Sequence, residues 1–190
     1  MKKAARAVIV VAVLLCLLII FCNAQPLPQD AGKRPRLIVV LSEAASAVRP
    51  KTTVPLRLPT DVAGLNNAGK NDLYAIVQSA DETGYSIILG AIPDCAGAHV
   101  CSYGTLIGTT RPLSKIDQYQ IVGRKGMSPA KLANGINAQT YYDYECRPYC
   151  ADSLVVWSEG KFNYVIGLKG AKKSDLIRAA NSAIRASNRN

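Results

Sequence analysis

Cysteine carries the clearest chemistry in this sequence. Four of its six cysteines form two close pairs, Cys95 with Cys101 and Cys146 with Cys150; Cys16 and Cys22 lie in an apolar N-terminal run. Outside a reducing compartment an even set of thiols oxidises to disulfides. Close spacing favours the local bonds Cys95–Cys101 and Cys146–Cys150, and a cross-pairing that ties the two regions together is the alternative. Four cysteines with His99 among them could instead bind zinc. The five residues between Cys95 and Cys101 exceed the usual ligand spacing, so disulfides are the expected state and no metal is expected.

His99 is the single histidine. A Cys–His nucleophile needs a free thiolate, and the neighbouring cysteines are expected to be oxidised. His99 therefore reads as a solvent-facing loop residue. Asp143, Glu145 and Asp152 gather around the second cysteine pair. Paired carboxylates can hydrolyse sugars, so a secreted hydrolase using these acids is the enzymatic alternative. It requires two of them in one deep pocket; a solvated strand face explains them equally well. No catalytic set and no cofactor motif is recognised.

Tyrosine is the odd component, nine against two Phe and one Trp. Tyr141, Tyr142, Tyr144 and Tyr149 crowd one segment with Arg147. On an extended run Tyr142 and Tyr144 share a face, and Tyr141 lies opposite with Asp143 and Glu145. Tyr141 and Arg147 are thus candidates for a binding face.

The elements that must hold these residues follow from patterning. Lys2, Lys3 and Arg6 precede an uncharged apolar run from Ala7 to Cys22, and Cys22-Asn23-Ala24 supplies small residues before Gln25. This is the layout of an export signal, with cleavage expected after Ala24; an uncleaved inner-membrane anchor is the alternative. Neither Cys16 nor Cys22 follows the small residue that lipid attachment needs. Loss of residues 1–24 leaves 166 residues with 20 basic and 13 acidic side chains. That length supports one domain. The positive charge favours an anionic envelope surface or another envelope protein as partner. No Lys/Arg block marks a nucleic-acid site, and membrane contact is expected only through an uncleaved signal segment.

Residues 25–51 read as a flexible leader with a short apolar segment at Leu37–Leu41. Residues 52–190 read as a disulfide-stapled α+β domain. Val54, Leu56 and Leu58 alternate with Pro55, Arg57 and Pro59, which predicts an extended segment confined to a sheet edge. Residues 73–77 and 85–89 predict a hairpin around Asp81–Gly84, and residues 104–110 a third strand. Ser128–Leu132 predicts one helical turn with Pro129 at its start. Leu154–Trp157 and Phe162–Leu168 predict a second hairpin around Ser158–Lys161. Tyr85-Ser86-Ile87-Ile88-Leu89 in the first hairpin echoes Tyr164-Val165-Ile166-Gly167-Leu168 in the second. Ser174 can cap a final helix starting at Asp175. Leu176, Ile177, Ala180 and Ile184 form its apolar stripe, with Arg178, Asn181, Ser182, Arg185 and Arg189 on the other side. Arg178, Arg185 and Arg189 are therefore the candidate anion-binding face. The expected fold is α+β: an antiparallel sheet with the C-terminal helix packed on one face.

Asp94-Cys95 through Cys101-x-x-Gly104, Cys146-x-x-x-Cys150 and Trp157-x-x-Gly160 together resemble an uncharacterised family of exported bacterial proteins. Tyr164-x-Ile166 with Leu176-Ile177-x-x-Ala180-Asn181-Ser182 is similar to the terminal hairpin and helix of domains of unknown function in bacterial envelope and regulatory proteins. The resemblance spans residues 52–187. It implies an envelope-located bacterial domain and transfers no catalytic residues. Three functions follow: a non-enzymatic domain that binds an envelope component or partner protein, the hydrolase, and an inhibitor-like module presenting the 95–101 loop.

Overall fold

A computed structural model describes residues 36–63, 65, 73–98, 100–116, 126–141 and 152–187. They belong to a folded unit spanning Pro35–Asn190. The export segment, and with it the cleavage reading, lies outside the described residues.

The unit starts earlier than residue 52. Residues 36–48, which composition assigned to the leader, form helix α1 (Arg36–Val48). Leu37, Val40, Leu41, Ala44 and Val48 fall on one face and are buried in the main core. Spacings of three and four put them in a single stripe, so the apolar run at Leu37–Leu41 is the first turn of a core helix.

Seven strands follow: β1 (Tyr74–Asp81), β2 (Gly84–Gly90), β3 (Ser102–Thr109), β4 (Ser128–Lys131), β5 (Asn137–Tyr141), β6 (Asp152–Glu159) and β7 (Phe162–Lys169). They form one antiparallel sheet in the order β1-β2-β3-β7-β6-β5-β4. Helix α2 (Lys173–Ser187) returns over β5, β6 and β7 on the face that also carries α1. The architecture is the expected α+β fold, and no described helix is long and apolar enough to cross a membrane.

The echo between the hairpins becomes geometry. β2 and β7 flank β3, so both run antiparallel to it. Across β3, Tyr85 meets Gly108 and then Tyr164; Ile87 meets Leu106 and then Ile166; Leu89 meets Gly104 and then Leu168. Each repeated residue shares a row with its counterpart on the helix-covered face. Gly108 is small because the Tyr85 ring occupies the space a side chain there would need. The opposite face is also buried: Ile107, Leu154, Val156 and Val165 pack with Leu113, Ile116, Met127 and Tyr141. Ile88 packs with the two cysteines of the stapled loop. Burial on both faces explains why β2 lacks the alternation of a half-buried strand.

Three local expectations are corrected. Ser128–Lys131 is the edge strand β4, paired with β5, and not a helical turn. Pro129 lacks an N–H, which an edge position tolerates. The final helix starts at Lys173 rather than Asp175: the Lys172 carbonyl accepts the first helical bonds, and the Asp175 carboxylate reaches back to the Lys172 N–H. Ser174 therefore lies inside the first turn and not at the cap. Residues 52–60 are extended but join no strand, so they do not form a sheet edge. They cross the helix-covered face as a strap.

Candidate functional site

The strap shapes one wall of a concavity on the helix-covered side. Backbone bonds from Arg49 N to Ala45 O and from Lys51 N to Val48 O close α1, both at 2.9 Å. The chain then runs extended. Pro55 and Pro59 remove two backbone donors, which discourages sheet pairing, while Val54 and Pro59 are buried.

Side chains from other elements pin the strap along its length. Thr53 Oγ1 donates to Glu82 O at 3.0 Å, and Arg57 N donates to Tyr85 Oη at 2.9 Å. Thr60 N and Asp61 N both donate to Ser182 Oγ, at 3.1 and 3.2 Å. Ser182, expected on the solvent side of α2, is therefore buried as a clamp on the strap. Asn181, from the same expected polar face, accepts from Ala133 N at 2.6 Å.

The strongest pin is ionic. Arg57 donates to Glu159 through Nε at 2.8 Å and through its second amino group at 2.5 Å. Glu159 Oε1 also accepts from Trp157 Nε1 at 2.9 Å. The Arg57 side chain is 15% exposed and that of Glu159 22%. A bidentate pair so shielded is stronger than a surface ion pair. The Arg57 hydrogen bonds, helped by Trp157, hold the Glu159 carboxyl below its ordinary range. The same pair raises Arg57.

Arg57 also lies over the Tyr164 ring, 5.7 Å from its centroid, and Tyr164 stacks on Trp157 at 5.2 Å. Tyr164 is 1% exposed, and its hydroxyl has no hydrogen-bond partner among the described residues. Burial pushes its pKa up to about 12. Burial raises Tyr85 as well, opposed by its bond from the Arg57 backbone.

Between strap and α1 runs a groove of about 890 Å³. One wall is the α1 flank Ile38, Ser42, Ala45 and Arg49, at spacings of four, three and four. The other is residues 52–60, and Ala186 of α2 contributes at one side. The lining combines aliphatic side chains with the hydroxyls of Ser42, Thr52, Thr53 and Thr60. It carries two guanidiniums and no carboxylate. Glu159 neutralises Arg57; Arg49 is exposed and pairs with no acidic side chain among the described residues.

Those of the residues singled out by sequence that are described do not line the groove. Cys95 and Cys101 are bonded, with Cα atoms 5.8 Å apart. Arg178 is engaged by Asp175 at 3.0 Å and by Asp61 at 3.7 Å, so it ties α2 to the residue that follows the strap. Arg185 is exposed. Tyr141 is half-buried and packs against the cluster of Ile107, Leu154, Val156 and Val165. Asp152 stands opposite Lys169 at the start of β6. His99, Asp143, Glu145, Cys146, Arg147, Cys150 and Arg189 lie outside the described residues, as do Tyr142, Tyr144 and Tyr149. Among the described residues no three His, Cys, Asp or Glu side chains converge as a metal site.

Sequence reasoning missed the groove because its walls are separate in the chain. The available signal was the second stripe of α1, visible only once Leu37–Leu41 is read as helix. No family model, curated protein or solved structure matches the chain.

Proposed function

We propose that this chain is an exported, non-enzymatic binding domain of the bacterial envelope that holds an extended segment of a partner protein in the groove between α1 and the strap. The groove carries the proposal. Its volume falls in the range of ligand sites, and its apolar floor with a few fixed polar groups is the usual composition of one. From Ile38 to Arg49 the α1 wall is about 16 Å long at ~1.5 Å per residue. That length accommodates about five extended residues at ~3.3 Å each. The hydroxyls of the rim suit the backbone of such a segment, and Arg49 suits an acidic side chain on it. The N-terminal signal pattern, the Cys95–Cys101 bond and the family resemblance support export.

Ala45→Trp fills the groove, and Arg49→Glu reverses its free charge. Nuclear magnetic resonance titration of the protein with short peptides alternating aliphatic and acidic residues tests both. The expected result is perturbation at Ile38, Ser42, Ala45 and Arg49, weakened by salt and by Arg49→Glu and abolished by Ala45→Trp. Binding unaffected by Ala45→Trp, or absent altogether, sinks the groove.

One observation favours the inhibitor-like reading as a second function. Val100 is 92% exposed and Ile92 46%, the two exposed large aliphatics among the described residues. Both belong to the 91–101 connection, held by the disulfide and by Ala91 N to Cys101 O at 2.8 Å. A rigid loop presenting an aliphatic tip fits a target with a small apolar pocket. Proteases that accept small aliphatic side chains should be slowed by the protein and not by Val100→Asp; undiminished proteolysis removes this reading.

A further inference from the structure

We propose that Asn134–Gly135, in the connection between β4 and β5, is a site of spontaneous covalent modification that converts the asparagine to aspartyl and isoaspartyl residues. Asn134 is the one non-glycine residue at positive φ among the described residues, at 58°, and Gly135 follows at 72°. Both are exposed. The turn is lightly closed: Leu132 N donates to Ile136 O at 2.9 Å, but Ile136 N reaches Ala133 O only at 3.3 Å.

The nucleophile is the Gly135 backbone nitrogen, which has no side chain to hinder its approach. A Cβ placed on Gly135 meets nothing within 4 Å, so no neighbouring group fences the turn. The nitrogen loses its proton and bonds to Asn134 Cγ. The Cγ–Nδ2 bond breaks, ammonia leaves and a five-membered succinimide forms. Water then opens the ring. Cleavage between the nitrogen and Cγ gives aspartate; cleavage between the nitrogen and the Asn134 main-chain carbonyl gives isoaspartate. Water is the only co-reactant.

In the closed turn ψ of Asn134 is 21°, which holds the nitrogen away from Cγ. The required rotation must release the 3.3 Å bond. Local opening of an exposed edge turn therefore gates the reaction, and global unfolding does not. The product alters a joint of the fold. Ala133 N, one residue away, donates to Asn181 Oδ1 of α2 at 2.6 Å. A new negative charge appears beside this joint, and the isoaspartyl form lengthens the main chain there by one methylene.

The test is peptide mapping of the full chain after incubation in neutral and mildly alkaline buffer, with the same chain in denaturant as control. The tryptic peptide beginning at Leu132 should gain the mass of an amide-to-acid conversion. Isoaspartate should exceed aspartate, and conversion should quicken with pH. The native rate should be no more than about tenfold below the denatured one, as a locally opening turn allows. Asn137, on β5 in the same peptide, should keep its amide. Asn134→Gln and Asn134→Gly, the second suited to positive φ, should both abolish the change. A native rate further below the control, a product without isoaspartate, or conversion that persists in either variant overturns the proposal.

Discussion

Tyr85 and Tyr164 share a row, a residue type and a buried position, yet their hydroxyls do opposite things. Tyr85 Oη accepts the Arg57 backbone N–H; Tyr164 Oη has no partner among the described residues. Tyr85→Phe strands a shielded donor and should cost about 1–3 kcal/mol. Tyr164→Phe removes an unsatisfied polar atom without opening a cavity and should leave stability unchanged or raise it by about 1 kcal/mol. Urea unfolding of the two variants checks the opposite signs. Titration tests two members of the same cluster, Glu159 and Tyr164. The Glu159 carboxyl is held below its ordinary 4.5, so its contribution is complete above that pH and is lost as pH falls through the lowered value. Tyr164 is raised from 10.0 to about 12. The unfolded chain then releases its phenolic proton first, and stability declines from about pH 10 to about 12. Glu159→Gln should flatten the acid limb of a stability–pH curve, and Tyr164→Phe should make the alkaline limb shallower, the remainder coming from Tyr85, which burial also raises. Limbs that keep their wild-type slopes would contradict these assignments.

At the scale of elements, the sequence disclosed most where periodicity was unambiguous. The hairpin β6–β7 and the stripe of α2 stand where their patterns put them: Leu176, Ala180 and Ile184 are buried, and Ile177 is half-buried against the same core. Leu176→Ala should therefore cost about 2–5 kcal/mol, read from the unfolding midpoint, with Arg185→Gln near zero as an exposed control. Pattern failed where tertiary context chose between readings. Ser128–Lys131 is too short to show a period, and only its pairing with β5 makes it a strand. Residues 52–60 show a strand's alternation, but pins from Ser182, Tyr85 and Glu159 claim them for the helix-covered face. Such pins join residues 28, 102 and 122 positions apart, which no local window sees. The rows across β3 add a test of their own. Gly108→Ala puts a methyl group into the Tyr85 ring and should cost about 1–3 kcal/mol.

For the whole molecule, the order of the sheet has a temporal meaning. β1, β2 and β3 are sequence neighbours, and so are β4 to β7, but the two groups meet only along β3 and β7. There Asn163 Nδ2 reaches Arg111 O across 52 residues. Closing so long a loop carries an entropy cost before any contact repays it, whereas each hairpin closes cheaply. The two groups of strands should thus gain structure independently, and their meeting should set the folding rate. Ile107→Val and Val165→Ala, at the seam, should slow refolding. Leu176→Ala, in the helix that docks afterwards, should chiefly speed unfolding. Stopped-flow refolding distinguishes the two. A seam variant that refolds at the wild-type rate would place the bottleneck elsewhere. Otherwise this protein must join two partly formed half-sheets by their exposed edges, and until it does, each edge is open to the wrong neighbour.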